Sequence, residues 1–246
     1  MYNPLHQFEI VKIVDCSIGR IDISFTQSSL FMVVVTGLIC LLLHIGTREK
    51  KLIPSKKQSI CEMLFRFVEN IVSAQIGKEG LKYTPYMFTL FVFIFAANAI
   101  GLFPYAFTVT SHIVVTFTLA MFVFIGMNVV GITKHGMKFF RIFCHHGIPA
   151  FVKPILIPVE VLSFLIKPIS LSVRLCANMI AGHVVLKMIA GAAVFFVNHR
   201  YLGIASIFPV AINAVLLGFE FLVAALQAYI FTVLSCIYFN SVIHIE

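Results

Sequence analysis

Charge is scarce in this chain. Only 11% of its 246 residues are Asp, Glu, Lys or Arg, 60% are hydrophobic, and the mean hydropathy is +1.02. A water-exposed globular domain carries about 25% charged residues to solvate its surface, so a soluble fold is excluded and most of the surface must face lipid. Strict alternation of apolar and polar residues is also lacking, which excludes a closed transmembrane barrel. The six cysteines (Cys16, Cys40, Cys61, Cys144, Cys176, Cys236) include no CxxC pair. Neither a zinc site nor a disulfide framework is therefore signalled, and they read as small apolar fillers. No basic leader precedes the first apolar run, which starts near Leu30 after Glu9, Asp15 and Asp22, so no cleaved signal peptide is expected.

What the chain does have is long apolar runs. A hydrocarbon core of about 30 Å takes roughly 20 helical residues per crossing. The runs predict an all-α polytopic membrane protein, a single integral membrane domain over residues 1–246, with crossings over about 30–45, 86–103, 113–132, 154–197 and 204–239. The first 28 residues are mixed in character and are expected outside the bilayer. Between the first two crossings, Ile60, Met63, Leu64, Phe67, Val68, Ile71 and Val72 recur at helical spacing, with Glu62, Arg66, Glu69 and Ser73 on the other face. That pattern predicts an amphipathic helix over about 60–76 lying in the membrane interface.

The net charge of +8 would suit nucleic acid, but its placement argues for a membrane. Lys and Arg number eight in residues 46–85 and four in 133–153, whereas the opposite segments hold Lys12 and Arg20, then none over 104–112, then Arg200 alone. Basic residues concentrate on the cytoplasmic or matrix side, so the N-terminus is expected outside and the C-terminus inside. The last two runs, over 40 and about 36 residues, exceed an upright crossing. They are expected to form two long, steeply tilted helices side by side, with Pro154, Pro158 and Pro168 as places to bend.

Ionisable residues inside those two runs are few: Glu160, Lys167, Arg174, His183 and Lys187, then Glu220. Insertion costs of about 2.5 to 3.5 kcal/mol for a central Arg, Lys or Asp make each a functional candidate. Glu160, Lys167 and Arg174 recur at seven and share a face that Asn178 extends, while His183 lies opposite. Asn213, Glu220 and Gln227 also recur at seven, and Tyr238 returns to that stripe. Hydrogen-bonded glue between helices would account for Asn213 or Tyr238. It does not account for Arg174, whose guanidinium stays charged and needs a counter-charge. Glu160 is about 21 Å away along a straight helix, and Glu220 has His183 as a partner, so the anion facing Arg174 is expected from another subunit. Small residues Ala177, Ala181 and Gly182 would let a neighbouring helix approach. Cys144, His145 and His146 lack a second spaced pair and are not read as a metal site; Lys167 and Lys187 can snorkel. His112 stands at the outer end of the third crossing, where it could help water or protons in.

The stretches Pro168–His183 (PISLSVRLCANMIAGH) and Glu220–Tyr238 (EFLVAALQAYIFTVLSCIY) resemble the two signature helices of subunit a of the F-type ATP synthase. The likeness extends more weakly to Asp22–Ser29 and to Phe103–His112. It implies a non-catalytic, proton-conducting subunit with no cofactor and no bound metal, lodged in lipid and partnered by the c-subunit ring, the subunit b peripheral stalk and the rest of the synthase. Arg174 matches the arginine that faces the ring carboxylate, and Asn178 and Gln227 the polar residues beside it. Glu160 matches an acid on the inner path, and His183 and Glu220 a pair on the outer path. Many bacterial relatives carry that pair in reverse order, and some have an aspartate where this chain has Gly101; the outer path here can rely on water and His112 instead. The implied address is a bacterial inner membrane, with a mitochondrial inner membrane as the alternative. The rival function is a proton-coupled secondary transporter, which would show internal repeats around a substrate pocket, and no repeat is visible.

Overall fold

In the computed structural model, the residues described are 12–15, 17–18, 21–22, 24–48, 55–103, 106–136, 139, 153–198 and 206–244. Cys16, Cys144, His145 and His146, and the loop residues Lys50, Lys51, Lys138, Arg141 and Arg200, lie outside them. Six α-helices dominate the described residues: α1 Gln27–Thr47, α2 Lys56–Ile76, α3 Thr84–Gly101, α4 Ile113–His135, α5 Lys153–Asn198 and α6 Ile207–Ile243. Before them come four short strands, β1 Lys12–Val14, β2 Ser17–Ile18, β3 Ile21–Asp22 and β4 Phe25–Thr26. β1 pairs antiparallel with β4, and β2 with β3.

Five of the helices, α1 and α3 to α6, are long and apolar enough to cross a membrane. Their outward side chains are apolar, among them Val33, Val114, Phe122, Phe208 and Val215, which water would not tolerate and acyl chains do. This is an all-α polytopic membrane protein.

Local chemistry sets the helix ends. The Thr26 hydroxyl accepts from the Ser29 N–H to cap α1, and Ser55 accepts from the Gln58 N–H to cap α2. α2 ends at Gly77, whose φ of +82° suits a residue without Cβ and whose N–H donates to the Ser73 carbonyl. The apolar face of α2 divides along its length. Val68, Ile71, Val72 and Ile76 are buried in protein, whereas Ile60, Met63 and Phe67 are exposed.

α5 runs for 46 residues, and both Pro158 and Pro168 lie inside it without ending it. At 1.5 Å per residue it is about 69 Å long, and α6, with 37 residues, is about 55 Å. Neither fits upright in a core of about 30 Å. α6 also continues to Ile243, past the expected end at 239, because Asn240 and Ser241 still take helical geometry and the Ser241 hydroxyl donates to the Tyr238 carbonyl.

The chain forms two compact units. The first comprises the chain up to Glu49, Val92–His112 and Leu175–Ala228. Its core includes Val35, Ile94, Ala97, Phe107, Leu175, Met179 and Ala224. The second comprises Lys50–Phe91, Ile113–Arg174 and Tyr229–Glu246. Its core is more aromatic: Phe239 meets Tyr83 and Tyr86 with ring centroids at 5.6 and 5.8 Å, and Phe124 meets Phe164 at 5.0 Å. Two side chains of α4 close the end of α6 in this unit. Lys134 Nζ reaches the Ile243 carbonyl at 3.2 Å and pairs with Glu79, and His135 Nε2 reaches the same carbonyl at 3.0 Å. They satisfy a carbonyl that has no partner within the helix.

Candidate functional site: a buried polar cluster and an outward arginine

In the first unit, Leu175, Cys176, Met179 and His183 fall on one helical stripe of α5 and turn inward together. Burial of the apolar members carries His183 in with them, to 7% exposure. Its Nε2 meets the Thr108 hydroxyl at 2.9 Å. Thr108 also donates to the Gly101 carbonyl at 3.3 Å.

Glu220, 6% exposed, brings its carboxyl group from α6 over Gly182. A Cβ at position 182 would lie 2.8 Å from Glu220 Cδ, so a larger residue there would displace the carboxyl. Among the described residues neither carboxyl oxygen has a hydrogen-bond partner. The expected pairing of His183 with Glu220 therefore takes another form. The acid sits beside the residue preceding the histidine, and the imidazole is bonded to Thr108. Gly182 is likewise filled from within this chain rather than left open to a neighbouring helix, whereas Ala177 and Ala181 are exposed.

Gln227, also buried, accepts from Asn178 Nδ2 through its Oε1 at 2.9 Å, while its Nε2 is buried without a partner among the described residues. Asn98 of α3 is fully buried, donates to the Ala224 carbonyl at 3.5 Å, and leaves its Oδ1 unpartnered. Asn213 Oδ1 and Thr110 Oγ1 are in the same condition. A polar group taken out of water without a hydrogen bond costs roughly 1 to 3 kcal/mol, so the atoms just named are expensive to bury unless something polar visits them.

His112 stacks on Phe107 at 5.0 Å with 16° between the rings, and burial holds its imidazole below the ordinary histidine range. It shares with Thr108 the short segment between α3 and α4. That segment is tied to α5 by Cys176, whose thiol donates to the Ser111 carbonyl at 2.9 Å. Cys176 is thus more than a filler.

The second unit holds the other charged candidates. Lys167 Nζ lies over the rings of Phe164 and Tyr238, 5.3 and 5.2 Å from their centroids, a cation–π arrangement. Glu160 is half-exposed, two turns before Lys167 on α5. Arg174 is exposed, and among the described residues no carboxylate pairs with it.

Asn98 and Thr108 were not singled out from the sequence. Asn98 is the one carboxamide in the apolar run of α3, and the cost of a buried amide was the available signal. Thr108 had no such signal, since a hydroxyl can bond its own backbone.

The sequence profile of the family described as ATP synthase A chain matches residues 29–240. ATP synthase subunit a of Rhodospirillum rubrum is 45% identical over 247 aligned positions that cover all of both chains. The subunit of the same name from Chelativorans sp. (strain BNC1) is 46% identical over 98% of each chain, and that of Sinorhizobium medicae is 46% identical over 98% of this chain and 97% of its own. With the match running through α1 to α6 and through every polar residue placed above, this chain belongs to the ATP synthase A chain family.

Proposed function

We propose that this chain is the proton-conducting stator subunit of the synthase membrane sector, offering two offset aqueous half-paths to the carboxylates of a rotating c ring. The observation that carries this reading is Arg174: an always-charged group on the outer surface of α5, inside an apolar span, with no anion of its own among the described residues. Its counter-charge comes from outside the chain, and a moving ring carboxylate supplies one.

The chemistry follows from where charge is tolerated. A carboxylate beside a guanidinium is held ionised, whereas one facing lipid takes up a proton. A ring acid passing Arg174 therefore gives its proton to one half-path and is refilled from the other. The fixed charge keeps the two paths from joining, so protons cross only with rotation. Each elementary charge carried across yields about 2.3 kcal/mol per 100 mV, and several are needed for one ATP.

On the outer path Glu220, with both carboxyl oxygens buried and unpartnered, accepts a proton from water and passes it on beside His183. Asn178 and Gln227 line the approach to the ring, and His112 sits at the outer end. Glu160 serves the inner path. The partners are the c ring, the subunit b stalk and the remaining synthase subunits; the address is a bacterial inner membrane, N-terminus outside and C-terminus inside, and ATP chemistry lies on other subunits. The test is ATP-driven proton pumping by inverted vesicles carrying Arg174→Ala in a fully assembled complex: pumping should vanish, and normal pumping would remove the reading.

A further inference from the structure

Thr108 is a branch point in the polar cluster. Its side chain is 2% exposed, its hydroxyl lies 2.9 Å from His183 Nε2, and the Gly101 carbonyl oxygen is 3.3 Å away on the other side. A hydroxyl has one proton to give and two lone pairs to receive with. The Gly101 carbonyl can only accept, whereas Nε2 donates or accepts according to the state of the ring.

Two hydrogen-bond patterns therefore fit the same heavy atoms. When Nε2 carries a proton it donates to Thr108, and Thr108 donates to Gly101. When Nε2 is bare, the hydroxyl swings its proton to Nε2. Only a rotation about the C–O bond separates the patterns, and no covalent bond of Thr108 breaks.

The surroundings hold the three groups in place. The Ser111 hydroxyl donates to the Thr108 carbonyl at 2.6 Å, and the Cys176 thiol ties Ser111 to α5. A Cβ at position 101 would lie 2.8 Å from Thr108 Cγ2 and 3.0 Å from its Oγ1, so glycine there leaves the space that the threonine fills. Among the described residues the charged and titratable groups near His183 include Lys187, one turn along α5, and Glu220 of α6, which lies over the adjacent Gly182; His112 lies at the far end of the Thr108 segment.

We infer that Thr108 is a positioning residue for proton transfer at His183, its hydroxyl satisfying Nε2 in both protonation states by using the Gly101 carbonyl as the alternative acceptor. This rests on the reading of His183 and Glu220 as the outer proton path. The test is passive proton flow through membranes carrying the assembled membrane sector, measured against pH for the unsubstituted chain, Thr108→Val, Thr108→Ser and His183→Ala.

Thr108→Val keeps the shape and removes the hydroxyl; it should cut flow about tenfold, the scale of one hydrogen bond to a charged group, and move the midpoint of the pH profile. Thr108→Ser should stay within about twofold of the unsubstituted flow with its midpoint unmoved, since the hydroxyl is kept. Unchanged flow and midpoint in Thr108→Val, or a serine variant as impaired as the valine one, would overturn the inference while leaving the outer path standing. Normal flow in His183→Ala would overturn the outer path and this inference with it.

Discussion

The carboxyl group of Glu220 occupies the space that a side chain at position 182 would need. A carboxyl group of α6 is thereby given room by the missing methyl group on α5, next to the histidine that α5 turns inward.

Gly182→Ala should push Glu220 aside, because the new Cβ would meet Cδ at 2.8 Å and among the described residues no hydrogen bond anchors the carboxyl group. The expected result is a loss of at least about tenfold in proton-driven ATP synthesis, the scale of a misplaced catalytic group, with the complex still assembled. Synthesis at the unsubstituted rate would show that the acid has room to move.

Arg174→Ala should abolish ATP synthesis driven by a proton gradient while the complex assembles, since the exposed guanidinium contributes no ion pair to the fold among the described residues. Synthesis rates on purified, reconstituted complex check this. Arg174→Lys keeps the charge but not the planar fork, and should recover only a small part of the activity.

Glu220→Gln should slow proton delivery more than Gln227→Ala. On the proposed outer path the first removes the acid that would carry the proton, whereas the second removes an amide bonded to Asn178. Proton pumping in inverted vesicles gives the order directly; the opposite ranking would reassign the two residues.

Gly77→Ala should destabilise the chain by about 1 kcal/mol or more without touching the polar cluster, because φ is +82° at that position and a Cβ is disfavoured there. No atom lies within 4 Å of where that Cβ would go, so the effect is conformational and not steric. Thermal unfolding of the detergent-solubilised complex, compared with its proton flow, separates the two contributions.

The crossings were legible because composition alone decides them: lipid tolerates only helices whose outer side chains are apolar. The amphipathic character of α2 was legible too, from its period. The strands between Lys12 and Thr26 were not, since each is two or three residues long and carries no alternation to read. Spacing separated His183 from Arg174, since the nine positions from one to the other on α5 amount to about two and a half turns and put them on opposite faces. It could not show that Gly182 receives Glu220 or that His183 turns to Thr108, because those contacts join segments far apart in the chain. Nor could it show that α5 continues through Pro158 and Pro168, where each ring removes a backbone donor yet the helix persists.

The grip of Lys134 and His135 on the Ile243 carbonyl bears on depth. A rod about 55 Å long, bristling with apolar side chains, has little in lipid to stop it slipping lengthwise, since one turn of travel exchanges like for like. Pinned at its terminus, α6 cannot ratchet by the roughly 5.4 Å of a single turn without tearing that fastening. The last turns of α6 are thus kept in one register against α4.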